Sequence, residues 1–139
     1  MIIVDTNVVS ELMKLEPDPA VEAWVEGAGE LFTTSVTLAE IFYGIQRLPD
    51  GKRKLAMRTS AAEVMGGFEE RVLPFDAKAA AIYPLVVCER DRRGLPFVGF
   101  DTQIASICRS LDAELATRNV KDFAHTGVRV IDPWVATGP

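Results

Sequence analysis

The chain has one histidine and two cysteines in 139 residues. That scarcity removes much chemistry. A zinc site of imidazoles and thiolates, or Ser-His or Cys-His catalysis, needs such residues grouped together. His125 stands alone in the polar stretch AHTG and reads as a surface-loop residue. Cys88 and Cys108 form no CxxC pair and lie in apolar helical patterns, which predicts two reduced core residues. No apolar run approaches the ~20 residues that span a bilayer. The opening MIIVDTN has neither the basic n-region nor the long h-region of a signal peptide, so the expected place is the cytoplasm. Positive charge is also short: 15 Lys and Arg against 20 Asp and Glu leave a net charge of −5. Nucleic-acid binding by bulk electrostatics is therefore disfavoured, although a local basic patch remains compatible.

What is present is an ordinary globular balance, 48% hydrophobic and 25% charged. The length predicts one domain over 1–139, able to bury roughly two-thirds of its unfolded surface without staples. Short apolar runs at IIV, ELFTTS, RVLPF, AELATRN and VRVIDPW read as five strands. Between them lie helical spacings. One starts near Asn7 (Val8, Val9, Leu12, Met13), and another lies in EPDPAVEAWVEGAGE with Pro19 in its first turn. SVTLAEIFYGIQRL has Ser35 as its natural cap, and Pro49-Asp50-Gly51 breaks it before a helix from Lys52 to Met65. DAKAAAIYPLVVCERDRRG is helical, with Pro84 a potential kink; GLPFVG reads as a loop, and FDTQIASICRSL as the last helix. Alternating strands and helices predict an α/β fold, a parallel sheet with helices on both faces. Ligands in such folds bind beyond the carboxyl ends of the strands, where Asp5 stands.

Three carboxylates sit against the pattern. Asp5 ends the first strand, where helix capping would explain it as well. Glu40 matches a capping box with Thr37, but capping by Ser35 would place it one turn inside the helix. Asp101 opens a helix on the same face as Ile104, Ala105 and Cys108, an expensive place for a charge without a partner or a cation. Asp122 reads first as an Asx turn, and Arg118 as a balance to the acids or a phosphate contact. Carboxylates gathered without histidine or thiolate suit a hard cation, Mg²⁺ or Mn²⁺, completed by water and substrate phosphate oxygens.

The segments VDTNVVSEL, TSVTLAEIFYGI, FDTQIASIC and LATRNVKDF, in that order over residues 1–123, resemble the PIN-domain family, and within it the VapC-type toxins of FitB-like sequence. The resemblance implies a three-layer α/β/α sandwich and Mg²⁺- or Mn²⁺-dependent endoribonuclease activity leaving 5′-phosphate and 3′-hydroxyl ends. It also implies a homodimer and a small DNA-binding antitoxin, assembled as a heterotetramer or larger complex. By position, Asp5, Glu40 and Asp101 match the acidic triad, Asp5 and Asp101 as metal ligands and Glu40 on a second metal or a water. Asn119 matches a fourth position where many members carry aspartate, and Asp122 stands near enough in sequence to substitute in part. Thr6 and Asn7 match residues that orient the first aspartate, and Thr117 and Arg118 complete the fourth segment.

Two basic runs are candidates for guiding RNA: Arg47, Lys52, Arg53, Lys54 and Arg58, and then Arg90, Arg92 and Arg93. The alternative for each is a solvated helix face. Trp24, Phe42 and Tyr43 are core at helical spacing or anchors in a groove for an antitoxin helix. One rival function is a non-catalytic module of the same fold that joins an antitoxin and DNA. A phospho-acceptor protein is the other, but it lacks the second aspartate two residues after Asp5, where Asn7 stands.

Overall fold

The structure, a computed structural model, describes residues 1–95 and 99–136. Five strands, β1 (Ile2–Val4), β2 (Leu31–Thr34), β3 (Val72–Leu73), β4 (Glu114–Ala116) and β5 (Val130–Ile131), form one parallel sheet in the order β3-β2-β1-β4-β5. Six helices connect them: α1 (Thr6–Leu12), α2 (Pro19–Gly27), α3 (Ser35–Gln46), α4 (Lys52–Gly66), α5 (Ala77–Arg92) and α6 (Gly99–Ser110). The predicted α/β sandwich is the observed one.

Side-chain alternation along the strands divides the core. Ile3 and Leu115 point to one face and pack with Ala79, Val86, Ile104 and Cys108 of α5 and α6. Their neighbours Val4 and Ala116 point to the other face and meet Val8, Val21, Ile41, Ala61 and Met65 of α1 to α4. Both faces are thus covered, which explains why β1, β3 and β5 read as plain Val/Ile/Leu runs. The register pairs Ile2 with Leu31 and with Glu114, so β1 lies between β2, its successor, and β4, from late in the chain. That reversal is the topological switch, and it opens a crevice past Val4 and Ala116.

Two local expectations need correction, the cap of α3 and the burial of Cys88, while the capping reading of Asp5 holds. Thr34, not Ser35, caps α3: its hydroxyl accepts the Thr37 N–H at 3.0 Å, because the strand runs into the helix without a linker. Asp5 is itself the cap of α1, accepting from Thr6 N. Cys108 is buried as expected, but Cys88 falls on the exposed side of α5. The helix continues through Pro84, whose exposed position leaves the carbonyl it frees open to water. Of the predicted loop GLPFVG, residues 96–98 lie outside the described part, and Gly99 is already helical. His125 lies in an exposed loop, at φ 60°.

Candidate active site

Asp5 leaves β1 at the sheet's centre and is 2% exposed. A carboxylate so deep needs donors on both oxygens. Oδ1 accepts the Thr6 N–H at 2.8 Å; Oδ2 accepts the Thr117 hydroxyl at 2.7 Å and the Asn7 amide at 3.4 Å. Thr117 leaves the adjacent strand β4 and is fully buried. Its Oγ1 also accepts Asn7 Nδ2 at 3.0 Å and the Asn119 N–H at 3.1 Å. Asn7 returns the tie, its Oδ1 accepting from Arg118 N at 3.2 Å. One network therefore locks the ends of β1 and β4 around a single carboxylate.

Glu40 reaches the same place from α3. Its Oε1 accepts the Thr6 hydroxyl at 2.8 Å, so Glu40 is fixed to Asp5's neighbour rather than used in a capping box. Asp101 arrives from the first turn of α6, half-buried above the stripe of Ile104, Ala105 and Cys108. Three elements distant in sequence thus place three carboxylates in one open cleft of about 400 Å³.

The electrostatics show what crowding does. Burial pushes all three carboxyls above their ordinary values, and in Asp5 and Glu40 it outweighs the hydrogen bonds that favour the anion. Asp5 also raises Glu40. Asp101 is pushed up to about 7, first by burial, then by Asp5, Glu40 and Asp122, with Arg90 opposing. The site carries more negative charge than its protein surroundings balance. Cys108 lies beneath it with its thiol pushed up to about 12, chiefly by burial, and is therefore inert as a nucleophile.

The donors facing the cleft are all oxygens, the set preferred by a hard divalent ion. Among the described residues, no three carboxylate, imidazole or thiol groups converge tightly enough to hold one ion together. A cage built wholly by the protein is thus absent there. One or two carboxylates supplemented by water and substrate oxygens is the habit of Mg²⁺, and the residues present fit that mode.

The PIN domain family model matches residues 2–128. This chain belongs to the PIN-domain family. The PIN domain is 35% identical to VapC ribonuclease Y4jK of Sinorhizobium fredii over 96% of this chain and 98% of that protein. It is 31% identical to toxin FitB of Neisseria gonorrhoeae over 96% of this chain and 99% of that one. Among solved structures, FitAB bound to an IR36 DNA fragment superposes with a TM-score of 0.87 at 30% identity, covering 99% of this chain and 98% of the other.

Within this PIN domain, Asp5, Thr6, Asn7, Glu40, Asp101, Arg118 and Asn119 all line the cleft, and Thr117 lies directly behind it. Asp122 stands in a 3-10 turn that Asn119 opens, exposed, and acts on Asp5 and Asp101 through its charge. The basic runs do not line the cleft. Lys54 is buried, donating to the Gln46 carbonyl and to Asp50, both at 3.2 Å, and Arg90 is buried against the Ala124 carbonyl. These two residues of the basic runs are therefore not on a solvated helix face. Arg92 and Arg93 both pair with Glu89, Arg47 lies over the Tyr43 ring, and Arg58 donates to Gln46, while Lys52 and Arg53 are exposed. Trp24 and Phe42 pack against the core, and Tyr43 is exposed.

Sequence reasoning missed Ser10, Glu11, Lys14 and Trp134, which also line the cleft. For three of them a signal existed: they follow Asn7 at i+3, i+4 and i+7, one helical face. Trp134 had none, since only the pairing of β5 with β4 brings it there.

Proposed function

We propose that this PIN domain is an endoribonuclease, dependent on Mg²⁺ with Mn²⁺ as a substitute, and the toxin of a toxin–antitoxin pair. The observation that carries this reading is the meeting of Asp5, Glu40 and Asp101 in one cleft. The relatives named VapC ribonuclease and toxin FitB support the substrate class and the toxin role.

In this reading Asp5 and Asp101 hold the cation, and Glu40 serves a second one or a water. When bound, the cation lowers the pKa of water and offsets the charge of the phosphodiester under attack. The chain's own residues do the rest. Thr117 and the Thr6 N–H keep Asp5 in one orientation, and Thr6 does the same for Glu40. Asn119 offers an amide where a fourth charge would add repulsion.

The partner in this reading is a small DNA-binding antitoxin joined to a toxin homodimer. An apolar groove of about 490 Å³ between the end of α1 and α4, with Met13, Leu15 and Met57 in its walls, suits an apolar partner segment. Ser10 and Lys14 belong to both groove and cleft, so a segment lying there adjoins the carboxylates.

The test is incubation of purified, partner-free protein with structured RNAs and Mg²⁺, beside Asp5→Asn and Asp101→Asn. Cleavage should stop in EDTA and in both variants. Cleavage that persists in EDTA, or equally in both variants, overturns the reading, and RNA left intact by active-folded wild type supports the non-catalytic module instead.

A further inference from the structure

Beside the carboxylates, the lining of the cleft is also cationic and aromatic, with Lys14, Arg118 and Trp134. The Arg118 guanidinium carbon lies 5.0 Å from the centre of the Trp134 ring. Lys14 Nζ donates to Glu11 Oε1 at 2.9 Å, and the other Glu11 oxygen accepts the Asp18 N–H at 3.0 Å. Glu11 is buried, while Lys14 and Arg118 are exposed at the cleft.

This arrangement is unexpected on electrostatic grounds. Three carboxylates in the same cleft should draw in two mobile cations. Among the described residues neither cation is paired to Asp5, Glu40 or Asp101. Each is held back by a group of its own. Glu11 holds Lys14, and Arg118's charge helps keep the Glu11 carboxyl below its ordinary value. Trp134 holds Arg118 by a cation–π contact. Trp134 is itself anchored: its backbone N–H donates to Asp132 Oδ1 at 2.9 Å, and its ring packs against the second core cluster. Meanwhile Arg118's own N–H is tied to Asn7, beside Asp5. The cleft therefore has an anionic floor and a separately supported cationic rim.

We propose that Arg118 and Lys14 bind a backbone phosphate of the RNA next to the one that is cut, with Trp134 as the positioning residue that holds the guanidinium clear of the carboxylates. This rests on the ribonuclease reading for the identity of the polymer. A guanidinium held over an indole by a cation–π contact keeps N–H donors for phosphate oxygens, which an arginine collapsed onto a carboxylate would not. The rim contributes affinity and register without reading bases.

The experiment measures binding of a single-stranded RNA oligonucleotide in EDTA, where nothing is cut, and separately the kinetics of cleavage in Mg²⁺. The variants are Arg118→Gln, Lys14→Gln, Trp134→Leu and Trp134→Phe. Arg118→Gln should weaken binding about five- to tenfold and lower the slope of log affinity against log salt by about 0.7, the loss of one phosphate contact on a single strand. Trp134→Leu should reproduce most of that loss, Trp134→Phe should restore it, and the Arg118→Gln/Trp134→Leu double variant should be no worse than Arg118→Gln alone. An oligonucleotide with neutral methylphosphonate linkages should bind wild type and Arg118→Gln equally. In cleavage, KM should rise with kcat nearly unchanged. Unchanged affinity and salt slope in Arg118→Gln, or losses that simply add in the double variant, overturn the proposal. Failure of the ribonuclease reading would show instead as absent cleavage by wild type, with the binding arm still readable.

Discussion

Replacing Asp101 by asparagine should abolish cleavage and yet make the metal-free protein more stable. Asp101 titrates near 7 rather than at its ordinary 3.8 because it is half-buried and faces Asp5 and Glu40. The folded chain holds this proton more tightly than the unfolded chain does. Its ionisation therefore destabilises the fold progressively as pH rises from about 4 towards 7, and the penalty is complete above that. The gap from 3.8 to about 7 corresponds to a ceiling of about 4 kcal/mol. Solvent reaches part of the group and screens it, so about 1–2 kcal/mol is the working expectation. For a domain of this length that is a rise of roughly 3–8 °C in melting temperature. The assay is thermal unfolding of wild type and Asp101→Asn in EDTA at pH 8 and pH 5. The variant should melt higher at pH 8, and the advantage should shrink at pH 5, where wild-type Asp101 is protonated. Millimolar Mg²⁺ should raise wild type towards the variant at pH 8. Asp122→Asn, removing the weakest of the three acidic influences, should do much less. A variant that melts no higher than wild type at pH 8, or whose advantage is the same at both pH values, refutes the account of crowded carboxylates.

Thr117→Val removes the hydroxyl that donates to Asp5 at 2.7 Å, a bond to a charged acceptor of about 1.5–3 kcal/mol. Single-turnover cleavage should fall about tenfold or more with the circular-dichroism spectrum unchanged, and an undiminished rate would show that Asp5 needs no such support. Phe123→Ala empties a site that is 1% exposed and should cost about 3–5 kcal/mol, read as a lower urea midpoint at constant slope. Iodoacetamide should label exposed Cys88 in the native protein and spare Cys108, whose thiol is pushed up to about 12; equal labelling by mass spectrometry would contradict the burial.

Much of the architecture was legible in the chain because local physics writes it there. A run such as IIV reads as a strand hidden on both faces, since no polar residue alternates in it to meet water. Asp101 was legible for the opposite reason: a charge on the stripe of Ile104, Ala105 and Cys108 violates the pattern and asks for a partner. Capping details failed because Ser35 and Thr34 are equally good caps, and only the exact strand end decides between them. Within the run Lys52-Arg53-Lys54, charge alone does not show that Lys54 turns inward to Gln46 and Asp50.

The sequence by itself determined the strand and helix order, the oxygen-only chemistry of the candidate donors and the family. The first two follow from composition and from spacing along the chain, and the family from the likeness of its segments to those of PIN domains. Tertiary structure alone decided that Asp5 is wired to Thr117, 112 residues away, and that Arg118 rests on Trp134 rather than on the carboxylates. Parallel pairing of β1 with β4 and of β4 with β5 makes these neighbours, and such pairing leaves no local trace, because its partners meet only after the chain has closed loops of many residues.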